Sequence, residues 1–259
     1  MTTLAAAATP TREGDRFRMD VPSGWRMGRG AFGGVVIGSL IRAIETTIGD
    51  PTRTLRSITA ELPGPVMPGD ADITVEVLRA GKAVTTARAA LTQNGETLAH
   101  VVAIAGAKRS DDQRWQELAP PTATEWRSIE PRVPGGGFPE FSNNFEYRVI
   151  CGLPGAGGPP LAMGWLRARE AGHERDAAYV AAMIDAWWPA VLSRMPGMVP
   201  LATMSYTLDL ISPPPDGDEP LFYRGTVPVC ADGYFRETRE LWTEDGRLIA
   251  LNYQTMALI

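Results

Sequence analysis

The sequence predicts an α+β fold built from two tandem units, each pairing one helix with a set of antiparallel strands. Three observations carry that reading: an internal repeat, one helix-period segment in each half, and period-two strand patterns punctuated by tight-turn dipeptides. The repeat is clearest where Ser57-Ile-Thr-Ala-Glu-Leu-Pro-Gly-Pro-Val-Met-Pro-Gly-Asp70 lies without gaps on Ser205-Tyr-Thr-Leu-Asp-Leu-Ile-Ser-Pro-Pro-Pro-Asp-Gly-Asp218. Ser57 meets Ser205, Thr59 meets Thr207, Glu61 meets Asp209, and Leu62 meets Leu210. A helix pattern precedes each segment and further strands follow it, which points to an ancestral duplication.

In the first unit, residues 1–107, Ile37, Ile41, Ile44 and Ile48 recur at helical spacing while Arg42 and Glu45 can stay solvated. The spacing predicts an amphipathic helix over Gly34–Ile48, closed by Gly49 and Asp50-Pro51. Gly33, Gly34, Gly38 and Ser39 would let a neighbouring backbone approach its first turns. Ile58, Ala60 and Leu62 then alternate with Ser57, Thr59 and Glu61 as a strand. Ile73–Leu78, Val84–Thr92 and Leu98–Ala105 complete an antiparallel set, with Asn94-Gly95 as a type I′ hairpin turn.

Residues 108–140 mix Pro, Gly and charge, including Pro120-Pro121 and Pro134-Gly-Gly-Gly137, and read as a linker with little regular structure. The second unit, residues 141–259, opens with strand patterns at Phe141–Val149 and Leu161–Arg169. A helical pattern covers Ala177–Ser193. Met204, Tyr206, Leu208 and Leu210 then alternate with polar neighbours, followed by Leu221–Val227, Phe235–Trp242 and Leu248–Leu258. Asp245-Gly246 is the hairpin dipeptide expected before the last strand.

Composition narrows the chemistry. The 259 residues are 44% apolar and 21% charged, enough apolar material for a large core. No continuously apolar run reaches the roughly 18–20 residues of a membrane span, and Met1–Pro10 lacks the basic start and apolar length of a secretory signal. A net charge of −5 with no Lys/Arg run argues against a nucleic-acid partner. Cys151 and Cys230 are too few for a disulfide scaffold and fit a reducing cytoplasm. The sequence holds 2 histidines, His100 in a strand pattern and His173 in a charged connection. Neither accompanies a nucleophile elbow or a cluster of metal ligands, and no phosphate-binding glycine motif follows a strand. No cofactor or metal is expected.

Within Ala177–Ser193, Asp185 is the lone charge in a segment that is apolar all round. A helix of that kind is buried, so this carboxylate must find donors or shift its pKa, as carboxylates at working sites do. Trp187 and Trp188 read as core or interface aromatics.

Gly30-Ala-Phe-Gly-Gly-Val-Val-Ile-Gly-Ser-Leu40 resembles the first-helix motif of the bacterial type II acyl-CoA thioesterases. So do Glu76-Val-Leu-Arg-Ala-Gly-Lys82 and Gln93-Asn-Gly95, and in the second half Asp185, Thr203 and Gln254 resemble the family's catalytic positions. The resemblance implies a double hotdog fold, often assembled into oligomers, and hydrolysis of an acyl-CoA thioester; exposed strand edges in the α+β repeat point to dimers or tetramers. It implies further that Asp185, Thr203 and Gln254 position the attacking water, with Asp185 as base. Backbone amides at a helix start, around Gly33 and Gly34, would hold the developing oxyanion. The chain departs from the family in the apolar Ala186-Trp187-Trp188 after the aspartate and in Ser205-Tyr206-Thr207 after the threonine, which implies a more apolar pocket. The competing readings are a non-catalytic acyl-CoA or hydrophobic-ligand binder of the same fold and, more weakly, a dehydratase, which would call for a histidine base.

Overall fold

The computed structural model describes residues 2–109, 113, 115–132 and 137–259. In chain order the elements are α1 (Leu4–Ala7), β1 (Thr11–Glu13), β2 (Arg16–Asp20), β3 (Arg26–Met27), β4 (Gly30–Ala31), α2 (Gly33–Ile48), β5 (Arg53–Glu61), β6 (Asp70–Ala80), β7 (Val84–Gln93) and β8 (Glu96–Ala107). The second half continues with β9 (Phe145–Cys151), β10 (Leu161–Ala168), α3 (Ala177–Asp185), β11 (Leu201–Leu210), β12 (Leu221–Ala231), β13 (Tyr234–Trp242) and β14 (Leu248–Leu258).

Among the described residues, 12 strands form one antiparallel sheet in the order β1-β2-β6-β7-β8-β5-β11-β14-β13-β12-β10-β9. The order reads the same from both ends if β5 to β8 are matched with β11 to β14 and β2 with β10, so the repeat seen in the sequence is also a repeat in space. The halves join where β5 pairs with β11, with Glu61 opposite Ser205, Thr59 opposite Thr207 and Ser57 opposite Asp209. Irregularities are duplicated too. A bulge between Leu55 and Ser57 has its counterpart between Thr203 and Ser205, and one between Val77 and Arg79 has its counterpart between Thr226 and Val229.

Both helices lie on one face of the sheet, α2 on β6, β7 and β8, and α3 on β10, β13 and β14. They run antiparallel and very close, because the expected small residues are where they touch. A Cβ on Gly34 would sit 2.7 Å from the Ala182 Cα, and one on Gly38 would sit 3.4 Å from the Ala178 Cβ. Gly49 caps α2 in the left-handed conformation at φ 60°, returning its N–H to the Glu45 carbonyl. At the other helix, Asp176 accepts from the Tyr179 amide at 2.8 Å and ion-pairs with Arg42 of α2 at 2.8 Å.

Three expectations need correction. The second helix stops at Asp185 instead of running to Ser193, because Pro189 cannot donate into a helical ladder, and the chain resumes as a 3-10 turn over Ala190–Arg194. Residues 140–144 form a 3-10 turn before β9 begins at Phe145, so Phe141 lies outside the strand. Asn94 and Gly95 take the two positive φ values of a type I′ turn, 54° and 83°. At Asp245-Gly246, however, only Gly246 does, and Thr243 and Arg247 close a longer loop. The second type I′ turn belongs instead to Asp232-Gly233, at φ 52° and 79°.

The described residues of the segment read as a linker carry little regular structure, but much of it is anchored. Trp126 sits under the guanidinium groups of Arg148 and Arg167 and packs with Trp165, Phe222, Trp242 and Leu248 in a second apolar cluster. Trp165 donates to the Thr124 carbonyl at 2.8 Å, and Arg132 bonds back to Tyr147. The Pro134–Gly136 part of that segment lies outside the described residues.

Candidate functional site

Asp185 ends α3, and its carboxylate lies against the opening turn of α2. That turn begins at Gly33 after Phe32, a residue with no side chain able to cap it, so its first amides are left for an outside acceptor. A Cβ at Gly33 would come within 3.0 Å of Asp185 Oδ2, and the Gly34 amide bears on the same carboxylate. Glycine is therefore what allows the acid to approach the helix end.

Gln254 on β14 donates to Asp185 Oδ1 at 2.9 Å and to Asn252 Oδ1 at 2.9 Å, and its own Oε1 accepts from the Thr203 hydroxyl at 3.0 Å. The structure thus brings Asp185, Thr203, Gln254, Gly33 and Gly34 into one cluster. Gln254 is fully satisfied in it, so its amide is fixed relative to the acid. Asp185 is 12% exposed in its side chain, and Thr203 is likewise partly exposed, so solvent reaches both.

Arg239 and Glu237, both on β13, are parts of the site that the sequence reading missed. Arg239 Nη1 reaches Asp185 Oδ1 and the Ile184 carbonyl, each at 3.2 Å, while its Nε donates to Glu237 Oε1 at 2.9 Å. Glu237 also accepts from the Tyr223 hydroxyl at 3.1 Å and the Ala190 amide at 3.0 Å. A signal was present: alternate residues Phe235, Glu237, Arg239 and Leu241 share the inward face of β13, where two opposite charges stand between hydrophobic side chains. Burial pushes the Asp185 carboxyl above the usual aspartate range, with Arg239, Gln254 and the Gly34 amide pulling it back.

The polar cluster occurs once. Counting outward from the Thr59–Thr207 pair through the registers, Thr203 corresponds to Leu55, Gln254 to Ala103, Asn252 to Val101, Arg239 to Ala89 and Glu237 to Ala87. All five counterparts are buried and apolar. The histidines stand apart from the cluster: His100 pairs with Glu61 at 2.8 Å on β8, and His173 is exposed. Among the described residues no three His, Cys, Asp or Glu side chains are grouped so as to hold a metal ion, and no helix is long and apolar enough to cross a membrane.

Comparison with known proteins yields two family matches, to the acyl-CoA thioesterase N-terminal domain over residues 21–106 and to the acyl-CoA thioesterase C-terminal domain over residues 115–258. No curated protein matches the chain by sequence. Among solved structures, a hot-dog-fold protein from Alicyclobacillus acidocaldarius superposes with a TM-score of 0.90 at 20% identity, covering 99% of this chain and 97% of that one. A provisionally named thioesterase II from Thermobifida fusca gives 0.85 at 25% identity, with 100% and 98% covered. An acyl-CoA thioesterase II from Mycobacterium marinum gives 0.79 at 18% identity, with 99% and 98% covered. The architecture is the double hotdog.

Proposed function

The chain belongs to the acyl-CoA thioesterase family, a family of thioester hydrolases, and from that premise we propose that it cleaves an acyl-CoA with a water activated by Asp185. The observation that carries this reading is the position of Asp185: a nearly buried carboxylate at a helix start, with one oxygen engaged by Gln254 and Arg239 and the other facing Gly33. Water approaching from the open side gives a proton to Oδ2, its second hydrogen directed to the lone pair of Thr203 Oγ1. Its freed electron pair attacks the thioester carbonyl carbon. The Gly33 amide stabilises the oxyanion of the tetrahedral intermediate. Collapse breaks the carbon–sulfur bond, and Asp185 returns its proton to the departing CoA thiolate, leaving a carboxylic acid and CoA.

Gln254 acts by locking the geometry. Its amide ties Asp185 to Asn252 while its carbonyl holds the Thr203 hydroxyl, so loss of Gln254 would free both. The chain just beyond the acid is apolar and buried at Ala186, Trp187 and Trp188, which suits an acyl chain. Free Cys151 and Cys230 fit a protein working in a reducing cytoplasm. Ile104, Met204 and Tyr253 stand exposed on the central strands β8, β11 and β14, which supports assembly into a homodimer or tetramer.

The second reading, an acyl-CoA binder without turnover, draws on the Arg239–Asp185 contact, because a neighbouring cation makes a carboxylate a poorer base. Release of CoA thiol from acyl-CoAs of graded chain length, followed with a thiol reagent, separates the two. The hydrolase reading expects turnover that Asp185→Asn reduces about 100-fold or more. Turnover left intact in that variant would remove Asp185 from the mechanism, and tight binding with no thiol release would establish the binder.

A further inference from the structure

We propose that Arg239, held in turn by Glu237, is a positioning residue that fixes the orientation and charge of Asp185 and so presents Oδ2 to the attacking water; the proposal rests on the hydrolase reading for its purpose. The geometry is specific. Arg239 is 2% exposed and Glu237 is fully buried, yet both sit on the strand beneath the end of α3. One guanidinium edge serves Glu237 through Nε while Nη1 bridges Asp185 Oδ1 and the Ile184 carbonyl. With Gln254 on the same Oδ1, two donors from two different strands hold one carboxylate oxygen and leave the other towards Gly33.

Sharing is what lets a cation sit this close to a base. An Arg with Asp185 as its sole partner would stabilise the anion strongly and weaken its affinity for a proton. Burial pushes the Glu237 carboxyl up, while Arg239, the Ala190 amide and the Tyr223 hydroxyl pull it back; when ionised it gives the same guanidinium a second negative partner, so the trio carries one net negative charge and Asp185 keeps its basicity. Glu237 is in turn fixed by the Tyr223 hydroxyl and the Ala190 amide, which anchors the pair to β12 and to the turn after α3. The fold does not require this arrangement, since the counterpart half fills the same positions with Ala89 and Ala87.

The ionisable groups around Asp185 are few. Arg239 faces it from β13 with Glu237 behind the guanidinium, Tyr206 from β11 and Tyr223 from β12, while α2 presents Gly33 and Gly34 and β14 presents the uncharged Gln254 and Asn252. Burial raises both phenols well above their ordinary value, so the tyrosines stay neutral across the working range. Arg239 and Glu237 therefore set the local charge.

Two variants should move Asp185 in opposite directions. Arg239→Leu/Glu237→Leu removes the near cation together with its partner and raises the Asp185 titration midpoint by about one pH unit or more. Glu237→Gln leaves Arg239 uncompensated and lowers it by a similar amount. Carbon-13 NMR of the aspartate carboxyls in the substrate-free protein reads this directly, with Asp185→Asn assigning the resonance and the melting temperature confirming that each variant is folded. Midpoints unchanged within about 0.3 unit, or moving the same way in both variants, would overturn the proposal. If the double variant does not fold, the isosteric Glu237→Gln decides alone. Because no substrate is present, this result is independent of thiol release by the wild type, which tests the hydrolase reading separately.

Discussion

Thr59 lies directly opposite Thr207 at the seam between the two halves, and each is also the other's counterpart in the repeat. A residue can face its own counterpart only where a two-fold axis passes between them, so the seam is the symmetry axis of the molecule. Ser57 opposite Asp209 and Glu61 opposite Ser205 are mirror statements of the same relation. The duplicated backbone obeys this axis, bulges included, but the chemistry does not. One half keeps the polar set around Asp185 and the other replaces it with Leu55, Ala87, Ala89, Val101 and Ala103. The proposed centre therefore occurs once per chain, and titration with a tight-binding acyl-CoA analogue should give one site per 259 residues.

The pH dependence of turnover should report Asp185. The base works when ionised, and burial holds its pKa above the ordinary aspartate value of about 3.9. kcat/KM is therefore expected to fall as the pH drops through a midpoint above that value, and the fall should be measurable before the protein unfolds in acid. A profile flat down to pH 4 would contradict the assignment.

Thr203→Val and Gln254→Leu should separate two roles. Valine keeps the shape of Thr203 but removes the hydroxyl proposed to meet the water, so kcat should fall roughly 10- to 100-fold with KM little changed. Leucine at Gln254 leaves Asn252 and Asp185 each short of a donor. It is expected to lower stability by about 1–3 kcal/mol as well as kcat, measured by thermal melting and thiol release.

The two glycines at the start of α2 should respond differently to alanine. At Gly34 a Cβ would press on the Ala182 backbone at 2.7 Å and the Phe32 ring at 2.6 Å, forcing the helices apart. About 3 kcal/mol of stability should be lost, read by chemical denaturation. At Gly33 the nearest atom is Asp185 Oδ2 at 3.0 Å, with Leu62 next at 3.9 Å. Gly33→Ala should fold normally and lose activity.

Glu45→Gln should stabilise the protein in mild base. Burial, reinforced by Asp176 and opposed by Arg42, pushes the Glu45 carboxyl up to about 7. The folded chain thus binds this proton more tightly than the unfolded chain. Its favourable contribution is complete below the unfolded value of 4.5 and is lost as the pH rises through about 7. Glutamine mimics the protonated form, so the variant should gain about 1–2 kcal/mol at pH 8, a melting shift of roughly 2–6 °C. At pH 4 it should gain nothing.

Trp126→Ala should loosen the connecting segment. The indole is 6% exposed, with Arg148 at 3.8 Å and Arg167 at 5.0 Å from its ring centroid. A loss of about 2–4 kcal/mol is expected from burial and cation–π contact together. The same change should make Trp165 and Trp242 more accessible to fluorescence quenching.

The sequence by itself determined the duplication, the α2 boundaries and most strands, because period-two and helical patterns are local and the repeat states them twice. It also marked Asp185, since a single charge within an apolar helix is conspicuous without any coordinates, while the family resemblance pointed to Thr203 and Gln254. Other features depended on distant partners. Pro189 ended α3 where composition alone suggested continuation, and Asp245-Gly246 opened into a loop whose closure involves Thr243 and Arg247. The Pro/Gly-rich connection looked featureless because its order comes from Trp126 docking on β10, β12, β13 and the Leu248 end of β14, none of them near in sequence. Tertiary structure alone decided that Arg239 meets Asp185 and that Glu237 holds Arg239. They lie 54 and 52 residues away along the chain, and the charge that one buried group imposes on another is a property of their separation in space, which local patterning does not encode.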